Sequence, residues 1–372
     1  MSARLSSKAR NNLQRQLLGW FREHRRDLPW RRSRDPYRIW VAEVMLQQTR
    51  IATVIPYYDR FLDRFPRVED LARASESEAL KFWSGLGYYS RARNLHRSAK
   101  QIVERHGGAF PRDLDAALAL PGIGPYTVAA ILSITYDAPL AVLDGNVARV
   151  LARLGAIRGD LRAPRRWKEL QEMAQTLLAT ESPGDWNQAL MELGEVICTP
   201  QTPRCNACPV RRSCRAHSLG IIGAIPQPRK KRGPVAIKIA AAVLRDPRGR
   251  TMLVKNPGAH DEVLFSRMWQ FPATEVKRNA KSELAAYLRT KLDIACDGIE
   301  ALPEARHCVT YRNITLLPYL VRVPAFPKLH RAKILRLAEV GRLPVSSATR
   351  KIVDAALTGQ REILRTRKRS SE

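Results

Sequence analysis

The stretch Leu120 to Asn146, LPGIGPYTVAAILSITYDAPLAVLDGN, admits few backbones. Its opening Leu-Pro-Gly-Ile-Gly-Pro is a turn too tight for most side chains, and it runs straight into an apolar helix. Gly122 and Gly124 can take positive φ and let another backbone come close. The amides that follow then sit at a helix N-terminus, where they favour an anion such as a phosphate. Asp144 comes later as a lone carboxylate, after the apolar run Pro139–Leu143 and before a second helix, Val147 to Leu154. A phosphate grip followed by one carboxylate suits an enzyme that holds a nucleic-acid backbone and attacks one nucleotide. The plainer reading is an αα-hairpin whose glycines only permit close packing. The rest of the chain favours the first.

Asp35-Pro36 is a helix start, a cap followed by proline at the first helical position. The helix it opens, Tyr37 to Thr49, is apolar on every side between Ile39 and Leu46 except at Glu43. A helix apolar all round is a buried helix, so Glu43 projects from a core element. A buried carboxyl prefers its neutral form and is available as a general acid near neutral pH. Asp144, ahead of a helix N-terminus, is expected to be pushed the other way and stay ionised. Two carboxyls driven apart in this way suggest an acid and a stabiliser. The alternative for Glu43 is a structural carboxylate satisfied by an arginine or by backbone amides.

Upstream, Leu13, Leu17, Leu18 and Phe21 recur at helical spacing, and Asp27–Arg32 reads as a basic turn with an exposed aromatic, Trp30. Farther on, Trp83-Ser84-Gly85-Leu86-Gly87-Tyr88-Tyr89-Ser90-Arg91-Ala92-Arg93 sets two glycines beside two tyrosines and two arginines. Side chains on such a turn can wedge between bases while arginines hold phosphates, with Tyr88 the favoured wedge. A helix–turn–helix joint with Trp83 and Leu86 in the core is the plainer reading, and a mixture of the two is expected. Charge points to the same partner. The chain carries 64 Lys and Arg against 35 Asp and Glu, net +29. Residues 1–220 hold 34 against 22 and residues 221–372 hold 30 against 13, so nucleic acid is expected on both parts. No run of 18 apolar residues occurs, and the N-terminus has no signal-peptide core, which leads to an expectation of a cytoplasmic, nucleoid-associated protein off the membrane.

Cys198, Cys205, Cys208 and Cys214 have six, two and five residues between them. Zinc ribbons usually pair two Cys-x-x-Cys knuckles, and here there is one, so the uneven quartet fits four thiolates around a [4Fe–4S] cluster better than zinc. Four protein ligands leave no open site to activate water. Cys296 and Cys308 read as ordinary core thiols.

Residues 220–234 read as a linker, after which the texture turns strand-rich. Val235–Arg245, Thr251–Lys255 and Ile314–Val323 are expected strands. Ser282–Leu292 and a region near Ser346–Leu357 are expected helices, and within the basic tail 361–372 the run Arg365–Arg369 is expected to be disordered. The organisation is thus multi-domain: an all-α part over 1–219, the linker, an α+β part over 235–360, and the tail.

With those residues assembled, the chain resembles the adenine DNA glycosylases of the MutY family over nearly its whole length. The resemblance rests on Trp40–Thr49, the Gly85–Arg93 turn, Leu120–Thr127, Leu143–Val147 and the cysteine quartet. It implies an all-α helix-hairpin-helix glycosylase with the hairpin at about 113–131 and a [4Fe–4S] module at about 198–214, followed by a MutT/Nudix-like domain. It implies a monomer acting on duplex DNA that carries adenine opposite 8-oxoguanine or guanine. By that likeness Glu43 protonates the flipped adenine at ring position 7, and Asp144 stabilises the oxocarbenium-like sugar. Tyr126 and Asn146 resemble supporting residues, Arg31 a contact near the flipped base, and Gln48, Leu86 and Tyr88 positions that probe the mispair. The related endonuclease III enzymes carry a strand-cutting lysine two residues after the second hairpin glycine. Tyr126 stands there instead and cannot form an imine, which implies a monofunctional enzyme. Ser282–Leu292 offers only Glu283 where a Nudix hydrolase needs several glutamates, so the second domain is expected to read the lesion. The family's lesion-reading Phe-Ser-His is here Val309-Thr310-Tyr311, with Thr310 keeping a hydroxyl.

Overall fold

The computed structural model describes residues 6–227, 233–255, 268–296, 298–309 and 311–369. The chain divides into two compact units, Met1–Arg73 with Asn94–Lys230, and Ala74–Arg93 with Lys231–Glu372. Among the described residues no helix is long and apolar enough to cross a membrane.

The first unit is helical. Its central helix, Pro36–Leu46, starts where Asp35 accepts the Tyr37 amide at 2.9 Å and proline occupies the first turn. Eight of its side chains are buried, Glu43 among them. It packs on the equally apolar helix Pro125–Tyr136, which packs in turn on Pro183–Val196. That last contact needs a glycine: a Cβ on Gly184 would sit 2.6 Å from the Ser133 carbonyl oxygen. Trp30 contradicts its expected exposure, being 6% exposed and edge-on to the Tyr58 ring. Burying the indole against another ring outweighs the basic character of its neighbours.

The hairpin turn uses positive φ at one of its two glycines. Gly122 has φ +76, and a Cβ there would meet Asn94 at 2.6 Å, so only glycine fits. Gly124 has φ −107 with open space around its Cβ position, because it is the N-cap of Pro125–Tyr136 rather than a left-handed residue. After that helix the run 139–143 is fastened by side chains. Buried Asn187 accepts from the Val142 amide at 3.2 Å and donates to Leu140 O at 2.8 Å, and Gln175 accepts from the Ala141 amide at 3.1 Å. These bonds deliver Asp144 to the start of helix Gly145–Gly155.

The second unit is α+β. Its strands are β1 (Val235–Arg245), β2 (Arg250–Lys255), β3 (Trp269–Gln270), β4 (Ala273–Glu275), β5 (Ile299–Ala301), β6 (Ala305–Val309), β7 (Arg312–Arg322) and β8 (Ala332–Arg336). One sheet runs β4-β1-β7-β5 with β6 also on β7, and the other β3-β2-β8. β1 and β7 pair in parallel from Val235 opposite Arg312 to Arg245 opposite Arg322. The first sheet is covered on both faces, which is why β1 reads as a continuous apolar run. Ala240, Ala242 and Leu244 pack with Leu284 and Leu288 of helix Ala280–Leu292. Ala241 and Val243 pack with Ala348, Ile352 and Ala356 of helix Ser347–Arg369. That last helix corrects the expectation of a disordered tail: its residues after Gly359 are good helix formers with no proline to stop them, and the backbone stays helical to Arg369.

Residues 74–93, which lie inside the helical half of the sequence, pack with this second unit. They form helix Glu76–Trp83 and the glycine turn after it, from which helix Tyr89–His106 departs. Within the 220–234 stretch Ile225 is buried, and its carbonyl accepts from Arg153 at 2.8 Å. Cys308 is exposed rather than a core thiol, because β6 is a short strand with one open face.

Candidate active site

A cavity of about 740 Å³ in the helical unit is lined by Arg31, Glu43, Gln48, Tyr126, Asp144 and Asn146, six residues singled out from the sequence. Four separate elements supply them: the short helical turn Pro29–Arg32, the Pro36–Leu46 helix and its exit, the start of Pro125–Tyr136, and the N-terminus of Gly145–Gly155.

Glu43 is 6% exposed. Burial pushes its carboxyl up to about 7; the Tyr126 hydroxyl and the Arg31 guanidinium pull against this, and Asp144 adds to it. Its partner is neither an arginine nor a backbone amide. The Tyr126 hydroxyl donates to Oε2 at 2.9 Å, and Oε1 has no hydrogen-bond partner among the described residues. Burial and the two carboxyls hold the phenol far above its ordinary range, so it remains a donor. A carboxyl fixed at one oxygen and open at the other, near half-protonated at neutral pH, can hand a proton to a group in the cavity.

Asp144 caps its helix, accepting the Val147 amide at 2.7 Å on Oδ1 and the Asn146 side-chain amide at 3.3 Å on Oδ2. The expected downward push from the helix N-terminus is real but is overruled. Burial raises the carboxyl, and the Val147 and Asn146 amides and Arg149 recover only part of the shift. Asn146 is itself held, since Arg149 donates to its Oδ1 at 3.0 Å and to the carbonyls of Gly194 and Cys198, both at 2.8 Å.

Sequence reasoning missed the far wall. Glu192, 1% exposed, accepts from Arg26 Nε at 2.6 Å and Arg26 Nη2 at 2.8 Å, and from Arg31 Nη2 at 2.8 Å. Burial alone would raise its carboxyl, but the two guanidiniums hold it at about 2. The visible signal was a glutamate on the inner side of the apolar helix Pro183–Val196, which resembles the signal at Glu43.

The remaining candidates lie elsewhere. Gly122 and Gly124 shape the hairpin turn and do not line the cavity. In the second unit Leu86 is buried, while Tyr88 is 41% exposed at φ +48. Thr310 lies outside the described residues; beside it Tyr311 is exposed, with the Arg312 guanidinium 5.2 Å from its ring centre. Glu283 uses its carboxylate on the amides of Lys277 and Arg278.

Cys198, Cys205, Cys208 and Cys214 line one small apolar cavity with Ile197, Pro203 and Ile222. Among the described residues no three His, Cys, Asp or Glu side chains are set to hold a metal ion. The donor set is four soft sulfurs facing a shared, mostly apolar space, which fits a sulfur-ligated cluster. Arg153, buried beneath it, donates to the Cys198 sulfur at 3.3 Å and to the Thr199 and Pro200 carbonyls at 2.7 and 3.0 Å.

Residues 41–176 match the model of the HhH-GPD superfamily base excision DNA repair proteins. The adenine DNA glycosylase of Rattus norvegicus is 35% identical over 398 aligned positions, which take in 91% of this chain and 76% of that one. The chain belongs to the adenine DNA glycosylases. Its human relative in that family is 48% identical over 209 positions, 54% of this chain and 38% of that protein. The solved structure of a thermostable thymine-DNA glycosylase matches 57% of this chain and 98% of its own, at 31% identity and a TM-score of 0.52. As an adenine DNA glycosylase, the protein is a base-excision DNA repair hydrolase that removes adenine by cleaving its N-glycosyl bond.

Proposed function

We propose that the enzyme acts on adenine mispaired with 8-oxoguanine or guanine in duplex DNA, and that it stops at the abasic site without cutting the strand. The carrying observation is that Glu43, at about 7, shares one cavity with Asp144, while the Tyr126 phenol, from the first turn of the helix after the hairpin glycines, lines the same cavity. Glu43 protonates the extruded adenine at ring position 7 and makes it a leaving group. Asp144, oriented by Val147 and Asn146, stabilises the cationic sugar in its ionised form. Arg31 and Glu192, locked together, wall the base. Tyr126 fixes the Glu43 carboxyl and, as a phenol, offers no amine to attack the sugar.

Cys198, Cys205, Cys208 and Cys214 would hold a [4Fe–4S] cluster, which with all four positions taken by protein supplies structure and charge rather than an activated water. The second unit, in this reading, is MutT-like and reads the lesion strand through Thr310, which follows β6 in the sequence. Gln48, Leu86 and Tyr88 probe the mispair, and the hairpin at Gly122 and Gly124 grips a phosphate. The protein acts as a cytoplasmic, nucleoid-associated monomer.

The test is base release from duplexes with adenine opposite 8-oxoguanine, guanine and thymine, each assayed with and without hot alkali. Adenine is expected to leave fastest opposite 8-oxoguanine, and strands to break only after alkali. Breakage without alkali, trapped by borohydride, overturns the monofunctional reading. Equal rates opposite all three bases overturn the mispair reading.

A further inference from the structure

The turn Ser84–Tyr88 is strained and is held from outside itself. Gly85, Gly87 and Tyr88 all take positive φ, at +107, +79 and +48, and Tyr88 does so with a full side chain that is 41% exposed. Such a residue persists only where its surroundings over-determine it. Part of the restraint is local: Trp83 Nε1 and Arg91 Nη2 donate to Gly87 O at 3.1 and 3.3 Å, and the Arg91 guanidinium lies 5.4 and 5.2 Å from the Trp83 and Tyr88 rings. The rest comes from the C-terminal helix and from Val345 just before it, more than two hundred and sixty residues away. Arg350 Nη2 donates to Ser84 O at 3.2 Å and to Ser84 Oγ at 3.0 Å. Ser84 Oγ donates to Val345 O at 2.5 Å, and Ser347 Oγ donates to Gly85 O at 3.3 Å.

We infer that Arg350 and Ser347 are positioning residues for mispair recognition: they fix the Ser84–Gly85 backbone so that Tyr88 is presented in one conformation. The inference rests on the reading of Tyr88 as a probe of the mispair. It makes the last helix of the second unit part of the recognition apparatus through the turn it clamps, with no contact to DNA of its own required. A charged donor shared between a carbonyl and a hydroxyl is a strong restraint, and its removal leaves a strained turn free to relax.

The test compares duplex affinity and single-turnover base release, on adenine opposite 8-oxoguanine and opposite guanine, for the full chain and for Arg350→Ala, Arg350→Lys, Ser347→Ala, Tyr88→Ala and the Arg350→Ala/Tyr88→Ala double variant. Thermal melting of each reports the fold. Arg350→Ala is expected to weaken affinity for the 8-oxoguanine mispair on the order of tenfold and to narrow the preference over guanine. Arg350→Lys should recover part of this, and Ser347→Ala should show a smaller loss in the same direction. The double variant should be no worse than Tyr88→Ala alone, because both changes act through one side chain. Losses that multiply in the double variant would show Arg350 working on its own, as a phosphate contact for example, and would overturn the inference. So would an unchanged Arg350→Ala beside a damaged Tyr88→Ala. If Tyr88→Ala itself changes nothing, the reading of Tyr88 as a probe has failed, an outcome separate from failure of the clamp. Should Arg350→Ala melt early, Ser347→Ala carries the comparison.

Discussion

Glu43 and Asp144 line one cavity, and burial raises both. Their tasks differ through their partners. Glu43 has one phenol and keeps an oxygen open, whereas Asp144 has an amide on each oxygen. Base release that needs a protonated Glu43 and an ionised Asp144 should follow a bell-shaped pH profile. Its alkaline limb belongs near 7, and its acid limb above the ordinary aspartate range. The same shift acts on stability. The folded value of about 7 lies above the ordinary 4.5, so the folded state is penalised as pH rises through that window. By about pH 8 the penalty is roughly 3 kcal/mol. Glu43→Gln should therefore melt higher than the parent at pH 8, by a margin that shrinks at pH 5, while base release falls by about a hundredfold or more. A melting difference that does not change with pH would show that Glu43 is not held neutral by burial.

At the scale of elements, what could be read in advance was whatever is written locally. Asp35-Pro36 announces the helix Pro36–Leu46, and the apolar run around Glu43 announces its burial. Strands β3, β4 and β5, two or three residues long, have no room for an alternating pattern. The Glu192 pair with Arg26 joins residues 166 apart, and the Ser84–Val345 bond joins residues 261 apart, so neither leaves a local trace. Asp144 departs from expectation because its helix N-terminus is visible in the sequence and its burial is not. The cysteine segment shows what such distant contacts do. It has little regular structure beyond the turns Cys205–Ala207 and Arg211–Ser213, and its backbone hangs on Arg149 and Arg153 through the Cys198, Thr199 and Pro200 carbonyls. Stripping the metal by oxidation and chelation should release this segment to protease, lower the melting temperature, and slow base release, because Arg149 also holds Asn146 beside Asp144. The native protein should carry iron and sulfide in equal amounts and absorb in the visible. Zinc in their place, or a stripped protein melting within about 2 °C of the native one, would remove the cluster from this account.

For the whole molecule the decisive quantity is charge. A net +29 spread over both parts of the chain is more than any one phosphate grip needs. Its physical consequence is counterion release: each phosphate neutralised contributes a slope of about −0.9 to the fall of log affinity with log salt. With basic side chains on both units engaged, affinity for duplex DNA should drop by at least about a hundredfold between roughly 50 and 200 mM salt. The chemical step should behave otherwise. Glu43 and Asp144 are buried, so mobile ions screen their interaction far less than they screen surface arginines. Single-turnover base release, measured with enzyme saturating at each salt concentration, should therefore stay nearly constant while affinity falls. A rate that declines in step with affinity would mean that salt reaches the carboxyl pair. In that case the cavity is open to solvent during catalysis, and burial is not what keeps Glu43 protonated.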